Sequence, residues 1–154
     1  MEQYIQPFID VCVSVFKEFV GCEIKAERPY FIKHPDANNW GISAVIGFTG
    51  EARGAVVISL KKDLAIRLTD MLTDHHHTTL DDEVTDAIGE IVNIIAGNVK
   101  RNLEEEFRLV ISLPTIIHGD NHVIGWQTTQ TRAICIPFKI FNDSFCLYIA
   151  LEAQ

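Results

Sequence analysis

The sequence predicts an α+β fold, a largely antiparallel sheet with two long helices and a shorter helix packed on it. Segments with helical apolar spacing cover residues 3–20, 61–73 and 79–106. Runs rich in β-branched and aromatic residues, separated by turn residues, fill 22–60 and 109–151. The two kinds are grouped as helix, strands, two helices, strands. That grouping predicts helices laid on one face of an antiparallel sheet.

Over 3–20, residues such as Ile5, Phe8, Ile9, Cys12, Val13, Phe16 and Val20 give a wide apolar helix face. Pro7 falls in an early turn, where a missing N–H does little harm, and Gly21 closes the segment. A short extended stretch (22–31) and a polar turn (34–39) lead into two β runs, 40–48 and 52–60. Thr49-Gly50-Glu51 joins these runs as a hairpin. Gly47, Gly50 and Gly54 match neither the dinucleotide fingerprint nor the P-loop, so they read as turn and strand-twist glycines.

The helix over 61–73 carries Leu64, Ile66, Leu68, Met71 and Leu72, and His75-His76-His77 follow in what reads as an exposed polar loop. The longest helix covers 79–106. Thr79 with Asp82 approximates a capping box, and Asp81, Asp82 and Glu83 suit the positive end of its dipole. A strand over 109–117, interrupted by Pro114, and a turn at 119–121 come next. Strands over 123–129, 133–141 and 145–151, with Asn142-Asp143 as the last hairpin turn, complete the sheet.

At 154 residues the chain fits one domain over 1–154, large enough to bury a core without disulfides or a structural metal. The net charge of −8, from 13 basic and 21 acidic residues, argues against nucleic acid and against an anionic membrane surface, both of which need a basic footprint. No apolar run reaches the roughly 20 residues that span a bilayer. Met1-Glu2-Gln3 puts no basic segment ahead of an apolar one, which predicts no signal peptide. Cys12, Cys22, Cys135 and Cys146 form no CxxC pair and read as reduced, mostly buried thiols of a cytoplasmic protein.

The long helix carries the candidate site. At about 100° per residue, with Asp86 at zero, Glu90 falls near 40°, Asn93 near −20° and Gly97 near 20°. Val84, Ile88, Ile91, Val92, Ile95 and Val99 lie between about 140° and 240°. Surface helices always show a polar face, so periodicity alone favours an ordinary solvated stripe. Two residues weigh against that. Asn is a poor interior helix former, and Gly adds about 1 kcal/mol relative to Ala in a helix interior. Gly97 on the exposed line would let another molecule approach the backbone closely. Asn98, near 120°, is expected to make structural hydrogen bonds. His118 and His122 flank a turn and are assigned no chemistry.

The pattern Asp86-x-x-x-Glu90-x-x-Asn93, within GEIVNIIAGNVK over 89–100, resembles the signature of the CheC/CheX/FliY phosphatases of bacterial chemotaxis. There an Asp or Ser, a Glu and an Asn at this spacing are followed by a Pro somewhat over twenty positions later. Pro114, in ISLPT over 111–115, is the matching residue, at a slightly shorter spacing. The likeness extends over nearly the whole chain, and one copy of the signature fits the single-signature members.

The resemblance implies hydrolysis of the aspartyl-phosphate on the response regulator CheY. It implies no cofactor bound by this chain itself, the Mg2+ being supplied with the phosphorylated regulator. Phosphoryl transfer then chiefly needs an in-line water. Asn93, whose planar amide offers both a donor and an acceptor, would hold that water, and Glu90 would pair with a regulator lysine. Asp86, Gly97 and Pro114 would contact the partner, and the protein would be a homodimer joined at sheet edges, with the apolar run 133–141 as a candidate edge. Two other readings compete. One is a binding module for a regulator or a flagellar switch component, without catalysis. The other is a metal-dependent hydrolase using His75–His77 with Asp74.

Overall fold

The computed structural model describes residues 2–32, 39–126 and 132–154. A 3₁₀ turn at Glu2–Tyr4 leads into α1 (Ile5–Val15), which continues as a π-helical turn at Phe16–Val20. Phe8, Val11, Cys12 and Val15 recur at the spacing of one helix face and are buried. Gly21, at φ +85°, ends the segment as the sequence predicts, and its N–H and that of Cys22 both donate to the Phe16 carbonyl.

Two short strands, β1 (Lys25–Ala26) and β2 (Tyr30–Phe31), precede the hairpin of β3 (Trp40–Gly50) and β4 (Ala52–Leu60). The turn expected over 34–39 lies outside the described residues except for Asn39. After α2 (Lys62–Thr73) and α3 (Asp82–Asn102) come β5 (Leu109–Ile111), β6 (Thr115–His122), β7 (Ile134–Ile140) and β8 (Asp143–Ala153).

These eight strands form one sheet in the order β1-β7-β8-β4-β3-β5, with β2 also on β7 and β6 also on β3, and the pairings are antiparallel. The predicted α+β class is what is observed. The three helices share one core with one sheet face. Ile42, Ala44, Ile46 and Phe48 on β3 face it, as do Val56 and Ile58 on β4. Phe145 stacks on both Phe16 (4.9 Å between centroids) and Phe138 (5.2 Å), so the end of the first helix is fastened to the last hairpin.

The other sheet face carries a smaller cluster of Trp40, Val57, Cys135, Cys146 and Tyr148, against which Ile32, Ile124 and Trp126 pack. There the Trp40 indole N–H donates to the Tyr148 hydroxyl at 2.9 Å. Both faces of the central strands are thus covered, which explains why β4 and β8 read as nearly continuous apolar runs. Gly54 fits its strand reading: a Cβ there would lie 1.8 Å from the Ala150 carbonyl oxygen of β8.

Several boundaries differ from the expectation. The long helix starts later, because the Asp81 carboxylate accepts the Val84 N–H at 3.0 Å, so the cap is Asp81 and not Thr79. It ends at Asn102, and 103–106 form turns. The strand broken at Pro114 runs on to His122. Gly119 and Asn121 take positive φ inside β6, within the irregular stretch of its pairing with β3, and do not end it. Residues 123–126 are not a strand: Ile124 and Trp126 cover the outer cluster instead, and 127–129 lie outside the described residues. The last hairpin turns at Phe141 and Asn142, with Phe141 at φ +55°, while Asp143 already pairs with Ile140. β7 is no edge, since β1 and β2 pair along it.

Candidate functional site

α3 is built to hold one face outward. Its acidic first turn and its basic last turn, Lys100 and Arg101, both complement the helix dipole. Val84, Ile88, Ile91, Val92, Ile95 and Val99 are fully buried and lock the rotation of the helix against the sheet and its neighbours. The opposite side carries Asp86 and Glu90, both exposed, and Asn93 and Gly97, both half-buried. Among the described residues, no side-chain hydrogen bond or ion pair engages Asp86, Glu90 or Asn93. Three polar side chains in a row on a rigid helix therefore keep their bonding capacity for something outside the chain. At Gly97 a Cβ would meet nothing within 4 Å, so the space above it is open. Asn98 accepts from the Arg101 guanidinium one turn on, at the surface and not in the core.

The structure brings Pro114 to this stripe, and the residue that does so escaped the sequence reading. Gly89 is buried, and a Cβ there would lie 3.3 Å from the Ile116 Cδ1 and 3.6 Å from the Pro114 Cγ. The glycine lets the β5–β6 connection lie against α3 one residue from Glu90 and one turn before Asn93. A glycine on the inner flank of a polar stripe was the available signal. Ser112 pins the same connection to β3: its N–H donates to the Gly47 carbonyl (3.0 Å), and its hydroxyl accepts from the Gly47 N–H (2.9 Å) and donates to the Leu113 carbonyl (2.9 Å).

The histidine run is not the uniformly exposed loop that the sequence suggested. His75 and His76 are exposed, but the His77 side chain is 4% exposed. Its Nδ1 bonds Asp70 of α2 at 2.7 Å, and its Nε2 bonds Glu83 of α3. Two carboxylates on two ring nitrogens require both nitrogens to donate, which is the imidazolium. The Asp70 hydrogen bond, then that of Glu83, raises the His77 pKa above its ordinary value. The His77 hydrogen bond lowers both carboxylates. This clasp ties the end of α2 to the start of α3. Among the described residues no group of three or more His, Cys, Asp or Glu has an arrangement that could hold a metal ion.

His122 also has structural partners. Its Nδ1 donates to the Gly119 carbonyl at 3.0 Å, and its Nε2 lies 2.8 Å from the Ser43 hydroxyl. All four cysteines are buried thiols outside any disulfide, including Cys22. Burial pushes the Cys12 thiol far up, away from reactivity. Among the described residues no helix is long and apolar enough to cross a membrane.

The family model described as chemotaxis phosphatase CheX matches residues 42–139, a span that contains α3 and Pro114. A CheY-P phosphatase CheX from Thermotoga maritima is 26% identical over 152 residues, 97% of this chain and 96% of that one. The crystal structure of chemotaxis protein CheX from Vibrio vulnificus superposes with a TM-score of 0.89 at 27% identity, over 97% of this chain and 99% of that chain. The CheX–CheY–BeF3–Mg2+ complex from Borrelia burgdorferi gives 0.82 at 25% identity, over 97% of each chain.

Proposed function

The chain belongs to the CheX family of chemotaxis phosphatases, and from that premise we propose that it is a cytoplasmic hydrolase, one phosphatase domain over 1–154, that dephosphorylates the response regulator CheY. The observation that carries this reading is the outward row Asp86, Glu90 and Asn93, free of internal partners on a helix whose other side is locked in the core.

The substrate is a phosphorylated regulator with its own Mg2+, so the ion enters as part of the substrate. A water attacks phosphorus in line, the bond from phosphorus to the regulator aspartate breaks, and inorganic phosphate leaves. Charge on the phosphoryl oxygens is met by the regulator and its ion. What this chain adds is position. The Asn93 Oδ1 accepts from the attacking water and its amide donates toward the phosphoryl group, which fixes the direction of attack and removes part of the entropic barrier. Glu90, one turn away and exposed, pairs with a lysine beside the phosphorylated aspartate and sets the register of the two proteins. Asp86 extends the contact by one turn. Gly97 lets the regulator come close to the backbone, and Pro114 borders the water position. An amide does not titrate, so activity should not follow an ionisation of Asn93.

Phosphate release from a phosphorylated CheY tests this. Asn93→Ala is expected to lose activity about 100-fold or more, with its melting temperature close to that of the wild type. Glu90→Ala should weaken binding as well. Wild-type turnover in Asn93→Ala would sink the water-positioning role. Regulator binding with no phosphate release from the wild type would favour a binding module for a regulator or a switch component.

A further inference from the structure

Leu113 stands out among the large apolar side chains of this molecule. It is 86% exposed; Val110 on β5 follows at 60%, and the other exposed large apolar side chains among the described residues are under half exposed. A single exposed leucine on a mobile loop would need no explanation. This one is held in place from both sides. Ser112 is tied to Gly47 of β3 through both its backbone and its hydroxyl, and that hydroxyl also bonds the Leu113 carbonyl. On the other side, Pro114 is seated against Gly89 of α3 and restricts the backbone of the residue before it to extended conformations. Backbone freedom that docking would otherwise remove is thereby reduced beforehand, which is what preorganisation contributes to affinity.

The place of the knob names its occupant. Leu113 is covalently next to Pro114, which lies against the flank of α3 between Asp86 and Asn93. A protein that docks across the Asp86–Glu90–Asn93 row and Pro114 reaches a segment one residue from Leu113.

We propose that Leu113 is an apolar anchor for the phosphorylated regulator, entering a hydrophobic depression beside the regulator's phosphoryl site and setting specificity and KM, not the chemical step. The proposal rests on the phosphatase reading above and adds to it a residue with no polar role. Glu90 and Asn93 address groups at the phosphoryl site, whereas an apolar knob senses the surface around it, where one regulator differs from another.

The test compares wild type, Leu113→Ala, Leu113→Asp and Leu113→Met, using CheY phosphorylated in the presence of Mg2+ for turnover and CheY with beryllofluoride and Mg2+ for binding. Leu113→Ala should raise KM and Kd about tenfold with kcat unchanged. Leu113→Asp should raise them further, and Leu113→Met should restore values near wild type. Melting temperatures should stay together, because the side chain packs on nothing internal. Unchanged KM in both Leu113→Ala and Leu113→Asp, with an active wild type, overturns the anchor and leaves the phosphatase reading intact. A wild type that neither binds nor hydrolyses overturns both. A fall in kcat at constant KM, or a change in oligomeric state in Leu113→Asp, places the residue in chemistry or in self-association and also overturns the proposal.

Discussion

Gly97 shows how one residue can act in opposite directions on stability and function. It costs about 1 kcal/mol relative to Ala in a helix interior, and nothing within 4 Å would obstruct a methyl group there. Gly97→Ala should therefore stabilise the fold by roughly 0.5–1 kcal/mol. The same methyl group would stand on the docking face and raise KM. A denaturant melt and a phosphate-release titration on the one variant check both signs, and a higher melting point with an unchanged KM would remove Gly97 from the contact surface. Gly89, eight residues earlier, has the opposite surroundings: its missing side chain is filled by Ile116 and Pro114. Sequence spacing distinguishes the two glycines by helix face, but only the fold says what lies over each.

At the scale of elements, the His77 clasp joins the end of α2 to the start of α3 and makes their union sensitive to pH. The folded pKa of His77 is raised above 6.5, so its contribution is fully present below that value and is lost as pH rises through the raised pKa. Asp70 and Glu83 are lowered from 3.8 and 4.5, so theirs are present above those values and are lost as pH falls through the lowered ones. The stabilisation by the clasp is thus greatest between about pH 4.5 and 6.5. His77→Gln should lower the melting temperature most in that window, with a difference that narrows at alkaline pH. A gap of constant size from pH 5 to 10 would argue against an imidazolium. The sequence placed His75–His77 in a loop but could not foresee this burial. Asp70 and Glu83 lie on two different helices on either side of the run, and only the packing of α2 on α3 brings them to one ring.

Across the whole molecule, the strand order leaves a particular edge open among the described residues. β7 is shielded on its outer side by β1 and β2. On the opposite side β5 and β6 both pair with β3, and β6 presents eight residues, Thr115–His122, along the rim of the sheet. An edge of that length is a template for pairing with another copy. For a homodimer joined edge to edge, β6 offers the longer edge, since β1 and β2 at the other side of the sheet are two residues each. Light scattering should then return about twice the chain mass of 17.4 kDa. A mass of one chain at micromolar concentration would exclude that assembly.

The sequence by itself determined the local content of the protein. The helical period of 84–99, the turn residues around the 40–60 hairpin and the Gly21 stop follow from side-chain chemistry over a few residues, and each reappears in the structure. The outward row Asp86, Glu90 and Asn93 was legible for the same reason, since the rotation of a helix is fixed by its own apolar residues. Only the tertiary structure decided what depends on contacts between distant segments. The seat of Pro114 on Gly89, the fixed exposure of Leu113, the covering of β7 by β1 and β2 and the burial of His77 all arise where elements meet. Residues far apart in the chain carry no local period that announces their meeting, and the free energy that selects it is gained only once the sheet and helices have assembled.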